Sequence, residues 1–103
     1  MSDPTPAIRL ERDLSPARRA ELGVEGWPLW KDAVGSRTLT VDAPEHSYLL
    51  DGSVTLTPEG GAPVTAARGD LVVIPAGACR WEVHAAVRRH YRSEALTPAC
   101  CIL

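Results

Sequence analysis

Residues 45–61, EHSYLLDGSVTLTPEGG, and 69–91, GDLVVIPAGACRWEVHAAVRRHY, decide the fold of this 103-residue chain. Both alternate apolar and polar residues at a period of two and are punctuated by Gly and Pro, the pattern of short β-strands. In the first block Ser47 and Leu49 share the face of Glu45, and His46, Tyr48 and Leu50 take the other. Asp51-Gly52 reads as a turn, after which Val54 and Leu56 oppose Thr55 and Thr57. The second block runs through the apolar LVVI, turns at Pro75-Ala76-Gly77, and continues with Cys79, Trp81 and Val83 opposing Arg80, Glu82 and His84. Short strands at close intervals predict a small antiparallel barrel or sandwich.

Upstream, Leu39 and Val41 alternate with Thr38 and Thr40 in a further strand that Pro44 closes. Ser15-Pro16, then ARRAEL and Gly23, combine a side-chain cap, Pro at the first helical position and Gly at the stop, predicting a helix of about two turns. In GVEGWPLW, Trp27 and Trp30 flank a Pro that disfavours helix, and they read as a hydrophobic plug on the barrel rather than as a ligand-stacking pair. Pro4 and Pro6 precede an extended arm or edge strand around Ile8 and Leu10. The expected division is an N-terminal arm and short helix over 1–20, a barrel over 21–92 and a flexible tail over 93–103.

A net charge of −2 supplies no basic field for nucleic acid, and no apolar run is long enough to span a membrane. The first residues, MSDPTPAIRLERD, lack the apolar core of a secretory signal, so a cytoplasmic setting is expected. Cys79, Cys100 and Cys101 are too few and too badly spaced for a disulfide framework, which favours reduced thiols. Cys100-Cys101-Ile102-Leu103 matches a prenylation pattern but has no polybasic run before it, and a frayed tail is the simpler reading.

Four segments, GVEGWPLW, EHSYLLDG, GDLVVIPAG and CRWEV followed by VRRHY, resemble the small single-domain cupins. Within these, they are similar to the subgroup related to the cupin domain of (S)-ureidoglycine aminohydrolase. The likeness covers residues 21–92: Glu45 and Gly52 fit the end of the first cupin motif, and Gly69, Pro75 and Gly77 fit the second. It implies an all-β, antiparallel jelly-roll barrel and a homodimer. In metal-dependent members, two His precede the Glu and a third follows the Pro-x-Gly turn. Here those places fall on Leu39 and Val41, or Thr38 and Thr40, and on Arg80, a cation that cannot ligate a metal. Glu45 alone remains of the usual ligands, and one carboxylate holds a divalent ion poorly. No resident cofactor is expected, with a divalent metal held by other ligands left open.

The cupin count would turn Arg80 inward, whereas the alternation turns Cys79 and Trp81 inward. The alternation is preferred because inverting it would bury Arg80 and Glu82. The barrel mouth is then lined by Glu45, Ser47, Cys79 and Trp81. Glu45 is either a structural carboxylate held by Arg37 or Arg80, or a binding group or general base. Cys79 is either an inert buried thiol or a nearby acid or nucleophile. Trp81 is core that also walls the pocket. His46, His84 and His90 fall on outer faces, Tyr48 beside His46 suits a dimer contact, and Arg88, Arg89 and Arg92 read as a solvated face. The leading expectation is a small-molecule binding module with a ligand against Trp81 and Glu45 as its polar anchor. The alternatives are an enzyme of hydrolase, isomerase or dioxygenase type using Glu45 and Cys79, and a scaffold protein pairing through its outer face around Tyr48 and Leu50.

Overall fold

Period-two alternation becomes seven strands in the computed structural model, which describes residues 8–94. In chain order these are β1 (Arg9–Glu11), helix α1 (Pro16–Leu22), a 3-10 turn (Val24–Gly26), β2 (Leu29–Asp32), β3 (Gly35–Val41), β4 (Glu45–Pro58), β5 (Val64–Ala67), β6 (Leu71–Ile74) and β7 (Gly77–Ser93). The terminal Cys100-Leu103 motif and the first prolines lie outside the described residues. Among the described residues no helix is long and apolar enough to cross a membrane.

All pairings are antiparallel, in the order β1-β6-β4-β7-β2, with β3 also on β7 and β5 also on β4. The two long strands serve both halves of the fold. The start of β4 pairs with β6 and its later part, Ser53–Leu56, with β5. The start of β7 pairs with β3, and Val87–His90 with β2. Two half-sheets thus share β4 and β7 and enclose one core, the jelly-roll arrangement of an all-β barrel.

The bend that permits this lies at Asp51-Gly52, which is not a hairpin turn. β4 continues through it, and its register against β7 slips between Leu49 and Val54. Gly52 has φ 92°, and a Cβ there would stand 2.2 Å from the carbonyl oxygen of Ala86. Side chains pointing inward therefore change from odd positions, Ser47 and Leu49, to even ones, Val54 and Leu56, all buried completely. A bulge lets one strand turn a corner while both of its halves keep their apolar side inside.

Between the half-sheets, Leu49, Val54, Leu56, Val72, Trp81 and Val87 form the main core. Each such side chain contributes about 1.5–3 kcal/mol through burial. Outside it, Leu14, Val24, Tyr48 and Leu71 make a second cluster beneath the N-terminal segment. Tyr48 is buried there by the chain's own residues, and its hydroxyl accepts a hydrogen bond from Arg19 Nη1 at 3.0 Å. Leu50 packs against the same cluster. Tyr48, expected at a free dimer contact, is thus covered by Leu14 and Val24, which flank the helix, and by Arg19 from the helix itself.

Helix α1 starts where Ser15 Oγ accepts from the Arg18 amide at 3.1 Å and stops where Gly23 turns left-handed at φ 71°. None of its residues is fully buried, so its position depends on anchors. Asp70, itself buried, accepts from the Asp13 amide at 3.1 Å, the Ala67 amide at 3.0 Å and Arg12 Nη1 at 3.2 Å. Arg18 adds a bond to Glu11 at 2.8 Å, which lowers the Glu11 carboxyl below its ordinary range.

Candidate functional site

Arg89 is the centre of the site. It lies between Trp30 of β2 and Leu49 of β4 in register, and it is 4% exposed. Its Nε donates to Asp32 Oδ2 at 2.9 Å, and its Nη1 donates to Ser47 Oγ at 2.8 Å and to Glu45 Oε1 at 3.2 Å. The guanidinium carbon stands 4.6 Å from the centre of the Trp81 ring and 5.5 Å from that of Tyr91. A buried cation is tolerated when carboxylates and ring faces replace its water, and a planar guanidinium presents the fork that such partners need.

Asp32, whose side chain is 1% exposed, holds a second guanidinium on its other oxygen, since Arg37 Nη2 donates to Oδ1. Above this pair opens a cleft of about 240 Å³ lined by Trp30, Arg37, Leu39, Val41, Glu45 and Tyr91, with Arg89 and Thr40 completing its wall. Trp30 is half exposed and meets Tyr91 edge-on, with ring centres 6.3 Å apart. A different hollow beneath α1 holds Arg18 and His46, but Arg18 is taken by Glu11 and Glu21, and His46 by Glu94 at 2.5 Å.

Of the four residues expected at the mouth, Glu45, Ser47 and Trp81 meet around Arg89, and Cys79 lies apart. Glu45 lines the cleft. Ser47 and Trp81 are buried, and the Arg89 guanidinium, rather than open space, meets the Trp81 ring. Cys79 is buried and borders another hollow with Thr38, Thr57, Pro58 and Glu59. Burial pushes its thiol up to about 11, opposite to what a nucleophile needs. Trp81 points in and Arg80 is exposed beside Glu82, as the alternation requires.

Other expectations are corrected by the same geometry. Glu45 is held by Arg89, whereas Arg37 serves Asp32 and Arg80 serves Glu82. Arg89 does not belong to a solvated face, although Arg88, paired with Asp51, and Arg92 are exposed. Trp27 packs at the second cluster and Trp30 walls the cleft, so the two indoles form no common plug. His90 is half-buried and hydrogen-bonds the Trp27 carbonyl through Nδ1 at 2.9 Å, whereas the exposed His84 meets Thr55 Oγ1 at 2.8 Å. A signal for Arg89 was present, because the period of two that places Trp81 and Val83 inside runs on through Val87 to Arg89 and Tyr91. No local signal named Asp32 as its partner.

The donor set does not fit a divalent ion. Among the described residues no group of three or more His, Cys, Asp or Glu side chains converges on one point. Leu39 and Val41 bring no donor to the cleft, and Glu45 is occupied by a guanidinium.

Residues 19–91 match the family model of the EutQ-like cupin domain. Among solved structures, a DUF861-family protein of Thermotoga maritima is 38% identical, with a TM-score of 0.79 over 84% of this chain and 99% of that one. A DUF1255 protein of unknown function from Acidithiobacillus ferrooxidans is 28% identical, with a TM-score of 0.59 over 61% of each chain. The EutQ protein of Clostridium difficile is 25% identical, with a TM-score of 0.55 over 61% of this chain and 50% of its own. This chain thus spans about half the length of that EutQ protein. No curated protein matches it.

Proposed function

The chain belongs to the EutQ-like cupin family, and from that premise we propose that it binds a small organic molecule in the cleft between β2, β3, β4 and β7. One observation carries this reading. Arg89 is buried and triply anchored, yet it still forms part of the cleft wall beside Glu45, Trp30 and Tyr91. A cation held rigidly at the base of a partly apolar hollow is the arrangement of a ligand site, a few placed polar groups among aromatic and aliphatic walls. Its cost in desolvation makes little sense for stability alone, since an apolar side chain of similar size would fill the space as well.

The likeness to the cupin domain of (S)-ureidoglycine aminohydrolase rests on the four sequence segments, and its reaction forms no part of this proposal. Glu45 and Cys79 border different hollows, which removes the support for their acting as an acid–base pair. A cytoplasmic homodimer completes the reading. The dimer is supported by exposed Leu29 and Val34 on and beside edge strand β2, and sedimentation tests it.

Titrating a fragment library into nitrogen-15-labelled protein tests the site. Binders should shift the indole N–H of Trp30 together with the amides of Arg89 and Tyr91, and Trp30→Ala should weaken them. Binders that shift only residues of the hollow beneath α1, around Arg18 and His46, would place the site elsewhere.

A further inference from the structure

We propose that the ligand of this cleft is a small organic monocarboxylate, its carboxylate bridged by Arg37 and Arg89 and its carbon skeleton laid against Trp30, Leu39 and Val41. The inference rests on the binding reading above and names the chemical class that the site selects.

Two guanidiniums sit side by side because one carboxylate holds both, Arg37 on Asp32 Oδ1 and Arg89 on Asp32 Oδ2. Such a pair repels unless anions surround it. Asp32 has both oxygens engaged and is withdrawn from water, and with Glu45 it offsets the charge of the pair. Above, both guanidiniums line the cleft. Arg89 spends Nε on Asp32 and Nη1 on Ser47 and Glu45. Arg37 is half exposed and spends only Nη2 on Asp32. Parallel N–H donors from adjacent guanidiniums match the two oxygens of a carboxylate.

Charge sets how many carboxylates are accepted. Arg37 and Arg89 are balanced by Asp32 and Glu45, but Asp32 is withdrawn from the cleft, so the charged groups that line it are the two guanidiniums and Glu45. One carboxylate can be met by the guanidiniums, whereas a second would meet Glu45, whose side chain is 15% exposed at the same wall. Size and shape complete the class. About 240 Å³, flanked by Trp30, Tyr91, Leu39 and Val41, suits a compact ring or a branched chain and is smaller than the usual drug-sized pocket.

Benzoate, benzamide, benzamidinium and phthalate present one ring with different head groups, and their affinities for the full chain can be compared by calorimetry at low ionic strength. Benzoate should bind about tenfold or more tightly than benzamide, the worth of a charge-assisted hydrogen bond, and more tightly than benzamidinium or phthalate. Arg37→Gln should weaken benzoate about tenfold and benzamide much less, with Arg37→Lys between. Benzamide or benzamidinium binding as tightly as benzoate would overturn the carboxylate assignment and leave the binding site standing. Phthalate binding more tightly than benzoate would overturn the limit of one charge. Failure of all four to bind would overturn the site itself. If Arg37→Gln does not fold, the ranking on the unaltered chain decides the matter by itself.

Discussion

Arg89 Nε lies 2.9 Å from Asp32 Oδ2, joining β7 to edge strand β2 across 57 residues of chain, with both side chains almost wholly withdrawn from water. This contact binds the two halves of the site: without it Asp32 would lose the cation that faces it from β7, and Glu45 and Ser47 would lose their donor.

Arg89→Met should therefore destabilise the protein by about 3–5 kcal/mol in urea unfolding, because it leaves buried Asp32 with Arg37 alone and removes the cation that Glu45 faces. Arg89→Lys should recover only part of the loss, since an ammonium lacks the flat fork and stacks poorly on Trp81. The double variant Arg89→Met, Asp32→Leu should be more stable than Arg89→Met alone. If the single variant costs less than about 1 kcal/mol, the buried pair is not structural.

Gly52→Ala should prevent folding or cost more than about 3 kcal/mol. Its Cβ would meet the carbonyl oxygens of Ala86 and Ala85 at 2.2 and 2.6 Å, both fixed backbone atoms. Gly60→Ala is the control: its φ is also positive, at 75°, but nothing lies within 4 Å, so only the conformational cost of about 1–2 kcal/mol remains. Equal melting temperatures for the two variants would refute the role of Gly52 as the corner of β4.

Asp70→Ala should loosen the N-terminal segment before the barrel. Three donors lose their acceptor, from Arg12, Asp13 and Ala67. Trypsin should then cut after Arg12, Arg18 or Arg19 well before the barrel is degraded, and the exposed outer face around Tyr48 and Leu50 should bind a hydrophobic dye. Unchanged cleavage kinetics would show that β1 and α1 are held by other contacts.

Cys79 supplies a pH dependence at the alkaline end. Its thiol is pushed up to about 11 by burial, above the ordinary value near 8.5, so between these values the unfolded chain has lost a proton that the native protein retains. The unfolded state then binds fewer protons, and stability falls as pH rises from about 8.5 towards 11, with a limiting slope of about 1.4 kcal/mol per pH unit. Below pH 8 the group contributes no slope. Comparing unfolding of the unaltered chain with Cys79→Ala across this range isolates the effect. In a Cys100→Ser, Cys101→Ser background, Cys79 should react with a thiol reagent only as fast as the protein opens, and fast native-state labelling would contradict this.

Local pattern predicted a good part of this molecule. The capped helix at Ser15–Gly23, the alternation of Cys79, Trp81 and Val83, and the short strands were readable because each depends on neighbours in the chain. Asp51-Gly52 misled because the same dipeptide suits a hairpin and a bulge, and the choice depends on what approaches it. Here Ala85 and Ala86 come from the distant β7.

By itself, the sequence determined an antiparallel β fold with Trp81 inside and Arg80 outside, since backbone geometry forces alternate side chains to opposite faces. Tertiary structure decided which charges are buried and which hollow they serve. VRRHY looks solvated from its composition, and removing a guanidinium from water is unfavourable until its partners arrive. Asp32 comes from one strand and Glu45 and Ser47 from another, and folding alone assembles the electrostatic compensation that lets Arg89 point inward.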